Sequence, residues 1–217
     1  MKSTRKIAIT GVFCAIAYVF TLIGKLLPIS VAGFLNYDPK DIIIVISGFI
    51  LGPVSSLVIS VGVPLLELAT GLSTTGPFGL IMNILSSGSF ACIASLTYKK
   101  FKTQRGAIFG LVIATIITTF LMLLWNFFIT PFYMHVPRDV VKGMLLPVFL
   151  PFNLVKYGIN ACLAFLIYKP LVTALRRSHI IDDGKNVKSS SKLWITLTSF
   201  LILVSLIFAL LILGEVI

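Results

Sequence analysis

The chain has 217 residues, of which 58% are hydrophobic and 12% charged, and its mean hydropathy is +1.06. That composition excludes a soluble globular domain, which could not hide so much apolar surface, and reads as a multi-pass membrane protein. The formal charge of +11, from 18 Lys and Arg against 7 Asp and Glu, is concentrated in short segments between apolar runs. This distribution is that of positive-inside topology rather than of a nucleic-acid surface.

The first apolar span runs from about Ile7 to Leu27. Its basic start resembles a signal peptide, but no small-residue cleavage site interrupts the run, so a retained span is expected. Gly11 and Ala15 form a small-xxx-small pair that admits close approach of another helix. Either a helix of this chain or a separate subunit suits that face. Residues 28–41 form a polar connector, with Asp41 placed to cap the next helix. Spans two (42–51) and three (54–69) are each short and are separated by Gly52-Pro53, which predicts a tight hairpin at the inner surface. Glu67, near the far end of span three, suits either headgroups or a polar outer cavity.

A hydroxyl- and glycine-rich loop, residues 70–77, leads into span four, about 78–98, whose first half carries Asn83 and the run Ser86-Ser87-Gly88-Ser89. The small and hydroxyl residues predict close helix packing, and Asn83 is a candidate to line a site. Lys99, Lys100, Lys102 and Arg105 close this span with a basic loop. Span five, about 107–129, ends in Trp125-Asn126-Phe127-Phe128; the aromatics suit an interfacial belt, whereas an amide facing lipid would be left unsatisfied. A connector over 131–142 holds His135, Arg138 and Asp139, read as mostly solvated. Span six begins at Met144 or Leu150 and runs to Leu175. A basic linker, 176–192, precedes a seventh apolar run at 193–217. Cys14, Cys92 and Cys162 fall at unrelated positions in the spans and read as packing residues, with neither disulfide nor metal expected.

Placing the N-terminus inside puts 13 of the 18 basic residues on that face. The connectors at 28–41, 70–77 and 130–143 then all face out, beside Asn83, Asn126 and Asn153. Span six is the most informative stretch. Asn153, Lys156 and Asn160 are spaced i, i+3, i+7 and share one helix face. A lysine at that depth costs about 2.5–3.5 kcal/mol by insertion scales, so a polar cavity or a partner is expected around it.

Catalysis finds no support. Gly-x-Ser-x-Gly and His-Glu-x-x-His are absent, both histidines lie outside the spans, and there is no P-loop. Binding is better supported. The amides of Asn153, Asn126, Asn83 and Asn160 offer donor and acceptor on one plane, and Lys156 adds a charge-assisted donor for a carbonyl. Phe34, Leu35, Tyr37, Met82 and Trp125 are candidates to sandwich a flat ring, and Ser73, Thr74 and Thr75 to meet a polyol tail. Residue chemistry alone describes a planar, polar ligand and does not name it.

Six stretches go further: Phe34–Asp41 (FLNYDPKD), Gly48–Pro53 (GFILGP), Ser73–Pro77 (STTGP), Met82–Ser87 (MNILSS), Leu124–Pro131 (LWNFFITP) and Leu146–Asn160 (LPVFLPFNLVKYGIN). Together they resemble the riboflavin-specific S component of energy-coupling factor (ECF) transporters, in order and over about residues 1–175. The resemblance implies an all-α membrane bundle of six helices (1–175), to which the 176–192 linker and the seventh helix (193–217) are additions. It implies a substrate-capture subunit in a bacterial plasma membrane, N-terminus cytoplasmic. Such a subunit has no enzyme activity or cofactor of its own and works with a transmembrane T component and two cytoplasmic ATPases. Riboflavin is the implied substrate, with FMN and flavin analogues as further ligands. The family's Asn-x-x-Lys pair matches Asn153 and Lys156, and its span-five asparagine matches Asn126. Its ligand-covering loops point to Tyr37 and Ser73–Thr75. Its small-residue docking face matches Gly11 and Ala15, with glycine where the family carries alanine. Two alternatives stay open: an S component for thiamine or folate, and a membrane enzyme or scaffold. Thiamine's positive charge would sit badly against Lys156, and folate's glutamate would want more basic residues outside.

Overall fold

The structure is a computed structural model and describes residues 3–26, 30–31, 35–73, 75–178 and 180. It is almost wholly helical. Helix α1 spans Ser3–Leu26, α2 Lys40–Leu51, α3 Pro53–Ala69, α4 Gly76–Phe101, α5 Gln104–Met134, α6 Arg138–Met144 and α7 Leu150–Arg177. A π-helical turn, Leu145–Phe149, joins α6 to α7. Two short antiparallel strands, β1 (Ser30–Val31) and β2 (Leu35–Asn36), pair Ser30 with Asn36 and Val31 with Leu35 in the first connector. Helix α7 runs two residues into the linker expected at 176–192; the rest of that linker beyond residue 180 and the seventh span expected at 193–217 lie outside the described residues.

Helices α1 and α5 are apolar on both faces. On α1 the inward stripe is Ile9, Phe13, Ala17, Thr21 and Gly24, while Ile7, Val12, Ile16, Val19, Leu22 and Ile23 point outward. Helix α5 does the same, burying Gly110, Ala114, Thr118 and Met122 and exposing Phe109, Val112, Ile116 and Phe120. Small and hydroxyl residues among the buried ones, such as Ala17, Gly110, Ala114 and Thr118, are what a hydrocarbon solvent favours between helices, because packing rather than water exclusion drives association there. Among the described residues four helical stretches, Ser3–Leu26, Gly76–Phe101, Gln104–Met134 and Arg138–Leu175, are long and apolar enough to cross a membrane. The dense serines of span four do pack: Ser86, Ser87, Gly88 and Ser95 are all buried.

Helix α2 is the centre of the bundle and is buried along nearly its whole length. It packs on α1, α3, α4 and α7. Gly52 ends it at φ 98°, a conformation that favours glycine, and Pro53 starts α3 at once, so the expected hairpin is present. With 12 residues, α2 is about 18 Å long, well short of the about 30 Å hydrocarbon core. It therefore does not cross on its own, and the connector before it must reach into the bundle.

Three expectations are corrected. Pro39, not Asp41, is the N-cap of α2; Asp38 Oδ1 accepts the Lys40 N–H (3.1 Å), and the Asp41 side chain turns inward to other partners. The third outer connector is far shorter than 131–142: α5 continues through Pro131 to Met134, His135 closes it in a left-handed conformation, and α6 begins at Arg138. His135, Arg138 and Asp139 are exposed, but Val141 is buried against Leu35, Phe149 and Phe152. Span six, finally, is not one regular helix. Pro147 and Pro151 lack the amide hydrogens that an α register needs, and the chain widens to a π turn closed by Leu150 N–H donating to Leu145 O.

A side chain at Gly48 has no room, since its Cβ would lie 2.8 Å from Ser95 Cβ and 3.1 Å from Ser56 Cβ. Gly48→Leu is expected to destabilise the bundle by about 1–3 kcal/mol through overpacking, read as a lower melting temperature in detergent. An unchanged melting temperature would contradict this close approach of α2, α3 and α4.

Candidate functional site

The polar residues gather at the end of the bundle opposite the Gly52-Pro53 hairpin. There the first connector, the start of α2, the end of α3 and the start of α4 meet the first turns of α7. Lys40 is 1% exposed. A buried ammonium with no water must be matched by anions, and this one is: its Nζ lies 2.5 Å from Asp38 Oδ2 and 2.6 Å from Glu67 Oε1. The other Glu67 oxygen accepts from Asn83 Nδ2 at 3.3 Å. Asp41, also 1% exposed, accepts a 2.5 Å hydrogen bond from Ser87 Oγ at its Oδ1, and its Oδ2 lies 3.9 Å from Lys156 Nζ. Three carboxylates and two ammonium groups thus tie four helices and the connector together.

A second set of bonds holds the connector over α7. Tyr37 Oη donates to Asn160 Oδ1 at 2.7 Å, and Asn160 Nδ2 donates to the Asp38 carbonyl at 3.1 Å. Burial, with the Asp41 and Asp38 carboxylates nearby, pushes the Tyr37 phenol well above its ordinary value, so it stays a neutral donor. Near the connector's end, Pro39 crosses α1 at Gly24, where a Cβ would lie 2.6 Å from Pro39 Cδ.

The structure divides the residues singled out in the sequence. Asn153 and Lys156 lie on the inward side of α7; Asn153 is buried with its Nδ2 on Phe149 O (2.7 Å), and Lys156 is half-buried. Asn126 is buried on α5, donating to Met122 O (2.7 Å) and accepting from Thr130 Oγ1 (2.8 Å), which answers how an amide survives among those aromatics. Asn160 and Tyr37 serve each other, and Asn83 serves Glu67. Met82 is half-buried against the main core. Ser73 turns its hydroxyl to Gly76 O (3.1 Å), Thr75 is half-buried at the start of α4, and Thr74 and Phe34 lie outside the described residues. Leu35 packs with Val141, Phe149 and Phe152. Gly11 and Ala15 are exposed, and a Cβ at Gly11 would meet nothing within 4 Å, so the described helices of this chain do not cover that face.

Sequence reasoning missed Lys40 and the inward role of Asp41, and left Glu67 open. The signal was the shortness of span two. Ten apolar residues cannot cross a bilayer, so the Asp-Pro-Lys-Asp segment before them had to enter the protein.

The arrangement presents donors and acceptors inside an apolar bundle, as a binding site does. A family model described as ECF transporter, substrate-specific component, matches residues 5–168. The chain belongs to this family. Among curated proteins it is similar to the riboflavin transporter RibU of Staphylococcus aureus, 27% identical over 183 residues that cover 82% of this chain and 95% of that one. The riboflavin transporter FmnP of Bacillus subtilis is 25% identical over 187 residues, covering 81% and 98%. The RibU of Streptococcus thermophilus is 30% identical over 186 residues, covering 81% and 86%. Among solved structures, the S component of a bacterial ECF transporter superposes with a TM-score of 0.69 at 26% identity, over 81% of this chain and all of that one. As an S component the chain is a membrane protein and a transport subunit.

Removing one partner of the Lys40 pair leaves buried charge behind. Lys40→Met is expected to destabilise by about 3–5 kcal/mol, seen as a large fall in melting temperature or in yield. Adding Glu67→Gln to it is expected to recover part of the loss, because one stranded carboxylate is then neutral. A single variant as stable as the parent would contradict a structural ion pair.

Proposed function

We propose that this chain captures riboflavin at the outer face of a bacterial plasma membrane and passes it inward with a transmembrane T component and two cytoplasmic ATPases. The observation that carries the reading is the trio of relatives named riboflavin transporters, each matched over at least 86% of its own length. The site's chemistry supports it. Lys156 and Asn153, i and i+3 on α7, suit the carbonyl-bearing edge of an isoalloxazine ring, and Asn126 on α5 offers a further amide. Tyr37 belongs to the connector that would cover a bound ring, Met82 and Asn83 lie on the first turns of α4, and Ser73, Thr74 and Thr75 belong to the loop that would meet the ribityl chain. Asn160 acts in this reading by holding Tyr37 and the connector.

The same proposal completes the architecture. The chain is a six-helix S-component domain at 1–175, followed by a cytoplasmic linker and one more transmembrane helix, with the N-terminus in the cytoplasm. The Gly11–Ala15 face, uncovered by the described helices, docks on the T component.

The testing experiment is competition binding on the purified protein. Riboflavin fluorescence should be quenched saturably, and neither thiamine nor folate should displace it; displacement by either would overturn the substrate assignment. Lys156→Met is expected to weaken riboflavin binding by about 1.5–3 kcal/mol, the worth of a charge-assisted donor in an apolar pocket. Unchanged affinity would remove Lys156 from the site. Gly11→Leu should bind riboflavin normally in the purified subunit yet lose uptake in cells carrying the whole transporter. Normal uptake would refute the docking role.

A further inference from the structure

The ion cluster contains one atom that the fold leaves unanswered. Asp41 Oδ2 is buried and has no hydrogen-bond partner among the described residues. Its direction is set, because Oδ1 of the same carboxylate is anchored by Ser87 at 2.5 Å. Lys40, the neighbouring cation, is already engaged by Asp38 and Glu67 and makes no bond to it. Lys156 Nζ stands 3.9 Å away, beyond hydrogen-bond reach. A buried carboxylate oxygen without a donor is costly, and native structures rarely keep one without a reason.

Lys156 and Asp41 Oδ2 form a donor and an acceptor side by side on facing elements, one on α7 and one on α2. A donor–acceptor pair at this spacing is the complement of a ring edge in which a carbonyl adjoins an N–H. The pyrimidine edge of a flavin has that pattern: a carbonyl, an imide N–H at N3, and a second carbonyl. We propose that Asp41 reads the N3–H of the bound flavin, its Oδ2 accepting that proton's hydrogen bond while Lys156 donates to an adjacent carbonyl. The inference rests on the riboflavin reading above and adds a residue to it. It also makes a specificity statement. A site built to accept from an N–H discriminates against an analogue lacking it, because the acceptor is then stranded in an apolar interior. Ser87 and Lys40 act at one remove as positioning residues, the first by holding Oδ1, the second by occupying the other two carboxylates.

The test compares riboflavin with 3-methylriboflavin, which differs only at N3, by fluorescence-quench titration of the purified full-length protein. The parent protein is expected to bind the methylated flavin weaker by about tenfold or more, the worth of one hydrogen bond to a charged group. In Asp41→Ala riboflavin affinity falls and the preference over 3-methylriboflavin collapses towards unity, since both the acceptor and the clash with the methyl group are gone. Ser87→Ala keeps the charge but frees the carboxylate, and should reduce the preference; it serves if Asp41→Ala does not fold. Equal binding of the two flavins by the parent, or an undiminished preference in the variants, overturns the role of Asp41 and leaves riboflavin as the substrate. Failure of the parent to bind riboflavin at all overturns the substrate reading and this proposal with it.

Discussion

Lys40 is the constraint on which the rest of this structure depends. It sits at the first position of a helix too short to cross a bilayer, buried on every side, and it is held by one carboxylate from its own connector and one from the end of α3. With Lys40 only 1% exposed, solvent does not reach it to replace either partner. The pairing therefore dictates where the connector goes, and the connector carries Tyr37 onto Asn160. Glu67 in turn takes Asn83, and Asp41 takes Ser87, so the same cluster fixes the end of α3 and the first half of α4. What results is a rigid polar floor under one end of an otherwise apolar bundle.

That floor explains how a site for a planar polar molecule can exist in a protein whose helices are apolar on both faces. Ile42, Ile44, Ile46 and Phe49 of α2 pack with Ile59 and Phe90 in the middle of the bundle, which leaves little room for a cavity there. Polar chemistry is concentrated instead where the irregular backbone lies: the first connector, the start of α4 and the π turn just ahead of Asn153. Wide turns of this kind occur often at functional sites because they re-aim the residues that follow. Here the widening precedes the Asn153–Lys156 pair directly.

Local features were legible in the sequence and long-range ones were not. The spans, the Gly52-Pro53 hairpin and the shared face of Asn153, Lys156 and Asn160 follow from periodicity and turn chemistry within a few residues. Asn160 was visible as a polar residue in an apolar run, but its partner Tyr37 lies 123 positions away, and nothing local distinguishes a ligand contact from a strut. Lys40 and Glu67 are 27 positions apart and were read separately, the first only as part of a polar connector and the second as suiting either headgroups or a polar outer cavity. Joining them needed the length argument about span two. The π turn was written in Pro147 and Pro151, four residues apart, yet a pair of prolines predicts only that the α register fails and not what replaces it.

The central claim is that the polar end of this bundle holds a flavin, and the most direct measurement is the visible absorption spectrum of the protein purified from flavin-containing medium. The account predicts a yellow protein carrying about one flavin per chain, with the flavin released on denaturation. A colourless preparation that also leaves the fluorescence of added riboflavin unquenched would contradict it.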